Sequence, residues 1–279
     1  MNALELNGLC KRWPGFSLED VTLALPAGCI LGLVGENGAG KTTTIKLILN
    51  MLRADGGSAT VLGQDAAALD KNDVGVVLDE AGLPQGLNPG QIGRIMSGIF
   101  RNWDAACYAR YLDRFELPHG KPYKAFSRGM KMKLAIAIAL SHNARLLVLD
   151  EPTGGLDPVV RDEIVELFSE FTRDADRAVL ISSHIVSDLE KICDYIAFLH
   201  KGRLVLCEEK DRLLEEYALI RLTEERLREL PEESIISCRA SGYATEALVL
   251  RGGIPAAIPT EHTSLEDIIL FMAKGDERK

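Results

Sequence analysis

The stretch Gly35-Glu36-Asn37-Gly38-Ala39-Gly40-Lys41-Thr42 constrains the fold of this chain more than any other segment. It fits the spacing G-x-x-x-x-G-K-[ST], directly after an apolar run, 29–34, and directly before a helix-forming run, 42–52. A strand, a glycine-rich turn and a helix N-terminus in that order point backbone N–H groups inward, where they and the helix dipole hold an anion. Lys41 is then placed to reach the β- and γ-phosphates of a nucleotide, and Thr42 to offer its hydroxyl to Mg²⁺. Gly35, Asn37, Gly38, Gly40 and Thr43 complete the expected nucleotide contacts. A glycine-rich turn with a coincidental Lys-Thr would need neither the strand before it nor the helix after it.

A second apolar run, Leu146-Leu147-Val148-Leu149, ends in Asp150-Glu151. In isolation this is an ordinary strand closing on a solvated acidic turn. Open α/β sheets, however, bind ligands at the carboxyl ends of their strands. Beside a phosphate loop, Asp150 is therefore placed to hold Mg²⁺ through water, and Glu151 to act as the base for a water attacking the γ-phosphate.

Short aliphatic runs at 29–34, 146–149, 178–182, 195–199 and 203–207 alternate with helical patterns at 42–52, 127–140, 158–171 and 187–193. That alternation predicts a parallel sheet with crossover helices. The strand signal disappears over 84–143, which predicts a helical insertion. After about 211 the chain becomes an acidic helical stretch, 211–230, then a β-like run at 247–250 and an amphipathic segment at 264–275. The expected organisation is a core of 1–83 and 144–210 interrupted by the insertion, followed by a small accessory domain, 211–279.

With 32 Lys and Arg against 41 Asp and Glu, the net charge of −9 disfavours binding to nucleic acid through an overall basic surface. The longest apolar run, 134–140, is far short of a membrane span, and the N-terminus lacks the basic and apolar regions of a secretion signal. Six cysteines lie far apart without a CxxC pair, as expected of reduced cytosolic thiols with no zinc site.

Further motifs narrow the class. Phe126-Ser127-Arg128-Gly129-Met130 opens a helix 23 residues before Asp150, and Gly154-Gly155-Leu156-Asp157 and Ser182-Ser183-His184 follow. In this order they resemble the signature motif, D-loop and switch histidine of the ATP-binding cassette superfamily, over roughly 4–207. The resemblance implies an α/β fold: a P-loop, RecA-like core with an antiparallel β subdomain and a helical insertion, plus a small C-terminal α/β extension. It also implies two cassettes sandwiching two ATP molecules with Mg²⁺, Ser127 and Gly129 of one cassette facing the γ-phosphate held by the other. Asp157, in the D-loop, is expected among the nucleotide-binding residues, and His184 would contact the γ-phosphate. Trp13, in Lys-Arg-Trp ahead of the first strand pair, matches the family's adenine-stacking aromatic; a core Trp is the alternative.

Two features depart from the family pattern. Arg128 and Met130 replace Gly and Gln in the signature, and Asp79-Glu80 stands where a Gln usually follows a strand at 74–78. Asp79 is thus a candidate nucleotide and Mg²⁺ contact, with Glu80 as its rival. Around the signature, 117–149 carries Lys121, Lys124, Arg128, Lys131, Lys133 and Arg145 with no acid, which is either a local anion attractor or a solvated helix face.

The resemblance implies an ATPase subunit that drives a separate integral membrane permease of exporter type and works with a second cassette, identical or not. It would sit in the cytoplasm, peripheral on the inner face of the membrane, with the permease docking near 79–96 and no nucleic acid expected as a partner. Two readings stay open beside it. One is a soluble regulatory ATPase of the same class clamping a protein or nucleic acid; the other is a small-molecule P-loop kinase.

Overall fold

The computed structural model describes residues 1–78, 82–241 and 244–274. The chain opens with a long hairpin, β1 (Asn2–Trp13) and β2 (Phe16–Pro26), whose inward residues Leu4, Leu6, Leu18 and Leu25 are buried. Strand β3 (Ile30–Val34) leads through the glycine-rich loop to α1 (Lys41–Ile48), then β4 (Gly56–Val61), β5 (Gln64–Asp65) and β6 (Val74–Val77). Helices α2 (Pro89–Ile99), α3 (Ala105–Arg114) and α4 (Arg128–Leu140) occupy the segment expected to be helical. There follow β7 (Leu146–Asp150), α5 (Pro158–Phe171), β8 (Ala178–Ser183), α6 (Val186–Ile192), β9 (Tyr195–His200) and β10 (Arg203–Glu209).

Among the described residues these strands form a ten-stranded sheet in the order β5-β4-β1-β2-β10-β9-β3-β8-β7-β6. From β9 to β6 all pairs are parallel, while β1, β2, β4 and β5 pair antiparallel. The two parts meet where β2 and β10 share one parallel pair, Glu19 with Arg203. The parallel strands are apolar on both faces because both are covered. Leu147, Leu149, Val179 and Ile181 face one core with the inserted helices, whereas Leu146, Val148 and Leu180 face the other with α1 and the antiparallel strands. This is a P-loop α/β core with an antiparallel β part and a helical insertion.

Beyond β10 come α7 (Lys210–Glu216), β11 (Tyr217–Leu222), α8 (Glu224–Leu227), β12 (Ile235–Ser241), β13 (Ala244–Leu250) and α9 (Leu265–Lys274). The helical expectation over 211–230 fails at its centre, because Tyr217–Leu222 is a strand, the edge of a three-stranded sheet ordered β11-β13-β12. Six residues of mixed apolar pattern do not distinguish strand from helix by periodicity; pairing along β13, from Tyr217 with Leu250 to Leu222 with Thr245, decides it. One face of this sheet closes its own small core with Leu227 and Leu230. On the other side α9 buries Leu265, Ile268 and Phe271 in the same apolar cluster as Val34 and Phe198 of the large sheet.

Candidate active site

The carboxyl ends of β3, β7 and β8 converge. At the end of β3 the loop requires glycine twice over. Gly40, the residue before α1, has φ 113°, and an added Cβ there would lie 2.9 Å from Leu18 Cδ1. A Cβ on Gly35 would lie 2.4 Å from the Leu199 carbonyl oxygen, so the loop packs directly on β9.

Lys41 is 6% exposed. Its Nζ donates to the Gly35 carbonyl at 2.7 Å and to the Glu36 carbonyl at 3.4 Å, and lies 3.3 Å from Glu151 Oε1. Thr42 Oγ1 donates to Asp150 Oδ2 at 2.8 Å, and Ser182 Oγ donates to Asp150 Oδ1 at 2.6 Å. Two hydroxyls thus satisfy a buried carboxylate that would otherwise be costly to bury. Glu151 has a left-handed backbone, φ 51°, and its N–H donates to both the carbonyl and the hydroxyl of Ser182 at 3.1 Å. That turn brings Glu151 Oε2 to 2.6 Å from Nδ1 of the half-exposed His184 and 3.3 Å from its N–H.

The loop residues, Phe16 and Glu151 line an open cavity of about 330 Å³. Thr42 lines this cavity and donates to Asp150 behind it, and the two side chains present adjoining hard oxygens, a donor set that fits Mg²⁺. Sequence reasoning assigned no role to two residues here. Ser182 donates to the Asp150 carboxylate and accepts from the Glu151 N–H, and its signal was a polar side chain at the carboxyl end of an apolar strand. Phe16 walls the phosphate cavity; its signal was an aromatic three residues after Trp13 across a glycine turn.

Trp13 ends β1, inside the first strand pair and not ahead of it, because the chain turns back at once through Gly15. Its ring centroid is 6.2 Å from that of Phe16, with Lys11 Nζ 5.5 Å above it, and it lines a second cavity that shares Phe16 and Gly38 with the first. Ser127 caps α4, its Oγ accepting from the Met130 N–H at 3.3 Å, and Asp157 caps α5, accepting from the Val160 N–H at 3.1 Å. These two ends lie together, since a Cβ on Gly129 would touch Leu156 and one on Gly155 would touch Arg128. Ser127, Gly129 and Asp157 do not line the cavity around Lys41. Lys131 and Lys133 lie over the rings of Tyr123 and Phe115, so part of the basic run covers aromatic surface of the insertion. Asp79 and Glu80 lie outside the described residues.

Residues 18–154 match the family model described as ABC transporter. The chain is 32% identical over 222 residues to the ABC transporter ATP-binding protein YtrB of Bacillus subtilis (strain 168), covering 78% of this chain and 76% of that protein. It is 32% identical over 196 residues to the lantibiotic transport ATP-binding protein SrtF of Streptococcus pyogenes, covering 70% and 85%. A solved structure titled as the ATP binding subunit of an ABC transporter aligns with a TM-score of 0.69 at 28% identity, covering 76% of this chain and 91% of that one.

Proposed function

The chain belongs to the family of ABC transporter ATP-binding proteins, and from that premise we propose how its own residues perform the reaction. It is an ATPase subunit that powers a separate membrane permease of exporter type. Among the described residues no helix is long and apolar enough to cross a membrane.

The observation that carries the mechanism is the chain of contacts Lys41–Glu151–His184 beside Thr42–Asp150–Ser182. Lys41 is held by two loop carbonyls and Glu151. When a triphosphate enters, the loop N–H groups and Lys41 take its β- and γ-oxygens, and Lys41 leaves Glu151. Glu151 then keeps His184 as its partner and accepts a proton from water. That water attacks the γ-phosphorus as the bond to the β,γ-bridging oxygen breaks, releasing ADP and phosphate. Thr42 and Asp150 would hold Mg²⁺, which neutralises charge on the phosphates when bound. Phe16 and Trp13 offer ring surface beside the loop for the adenine.

Ser127, Gly129 and Asp157 stand apart from this cavity, which suits a role toward the nucleotide of a second cassette. The helix cap at Ser127 would meet the γ-phosphate across that dimer. Helix α2 leaves Ile95 and Ile99 exposed, a surface suited to a permease segment at the cytoplasmic face of the membrane. Steady-state phosphate release tests the reading. Turnover should require Mg²⁺ and be lost in Lys41→Ala; hydrolysis that persists in Lys41→Ala would refute the assignment.

A further inference from the structure

The segment 35–37 is a thin partition. Glu36 and Asn37 line the phosphate cavity on one side and, with His184, a second cavity of about 320 Å³ on the other. The far wall of this second cavity is α9, through Ile269, Leu270 and Ala273. That wall is fixed, because Leu265, Ile268 and Phe271 are buried in the cluster that contains Val34, the residue immediately before Gly35. At the end of α9, Lys274 Nζ lies 3.5 Å from Glu36 Oε1. Glu36 is a carboxylate inside a loop built to receive a triphosphate, and an uncompensated charge there opposes the ligand.

Resting on the ATP-binding reading above, we propose that α9 backs the nucleotide loop from the side away from the phosphate cavity and that Lys274 is a positioning residue, neutralising Glu36 and holding segment 35–37 in the shape that accepts phosphate. The three-stranded unit β11–β13 and α9 therefore act on ATP affinity through one ion pair and one packed face. A partner or ligand that displaces α9 weakens nucleotide binding without touching Lys41.

Both side chains are more than half exposed, so the effect is modest and salt-sensitive. The test is a double-mutant cycle on the full chain, titrated with a fluorescent ATP analogue at low and high salt. Lys274→Ala should weaken binding about two- to fivefold at low salt, with the loss fading toward about 0.5 M salt, while Lys274→Arg retains affinity. In a Glu36→Gln background the same Lys274→Ala change should alter affinity by less than about 1.5-fold. Equal losses in both backgrounds, or no loss in either, would overturn the proposal while leaving the ATP reading intact. Failure of the unsubstituted chain to bind the analogue would overturn that reading, and this proposal with it.

Discussion

Replacing Glu151 by Gln keeps the side-chain volume and removes one charge, so it separates chemistry from binding. In the structure the carboxylate has two partners, Lys41 at 3.3 Å and His184 Nδ1 at 2.6 Å. An amide cannot accept a proton from the attacking water, and loss of a positioned base costs about 10²–10⁴ in rate. A thousandfold fall in kcat corresponds to about 4 kcal/mol of barrier. Binding should move the other way. Lys41 no longer has to leave a carboxylate to reach the phosphates, so KM for ATP should stay level or fall by up to about tenfold. Two loop carbonyls still hold Lys41, so the fold should survive. Phosphate release measured over a range of ATP concentrations gives both constants, and size-exclusion chromatography with ATP should show the variant accumulating as a dimer. A kcat within tenfold of the parent would refute Glu151 as the base, and a KM that rises would refute the Lys41–Glu151 contact as one that competes with phosphate.

Ser182→Ala removes the donor to Asp150 and an acceptor for the Glu151 N–H in a fully buried position; calorimetry should show a loss of about 2–3 kcal/mol, or roughly 5–10 °C in Tm, together with slower hydrolysis. Asp188 in α6 is buried, its Oδ2 accepts no hydrogen bond among the described residues, and Arg161 Nε stands 3.7 Å away. Arg161→Ala should therefore cost about 3 kcal/mol in denaturant titrations, because it strands the buried Asp188 charge. His142 stacks on Phe100 with ring centroids 4.0 Å apart and Nδ1 3.0 Å from the Asn72 carbonyl, and burial holds its pKa below the usual 6.5. The unfolded chain then takes up this proton first, so its contribution is complete above about pH 6.5 and declines as pH falls. The stability gap between the parent and His142→Gln should narrow between about pH 7.5 and pH 5.

The phosphate loop was legible because everything it needs is consecutive: a strand, two glycines with no room for a side chain, and a helix start. Asp150 and Glu151 were legible for the same reason, at the end of one uninterrupted strand. What escaped depends on neighbours distant in sequence. Ser182 acquires its importance only because β8 lies beside β7 in register, Ser182 against Asp150. Phe16 belongs to the site only because the β1–β2 hairpin folds over the loop, so a reading along the chain placed Trp13 on the wrong side of the first strand pair. Tyr217–Leu222 became a strand through β13, which begins more than twenty residues later. Its own six residues carry too little periodicity to choose.

The burial of α9 in the large core bears on how such chains can be recombined. Leu265, Ile268 and Phe271 each remove an apolar side chain from water, worth about 1.5–3 kcal/mol apiece. Together they approach the whole stability margin of an ordinary domain. A chain ended near residue 210 would not be a trimmed module but a core with an open flank, exposing the neighbourhood of Val34 and Phe198 to aggregation. Transplanting the C-terminal unit onto another cassette would require carrying its receiving surface with it.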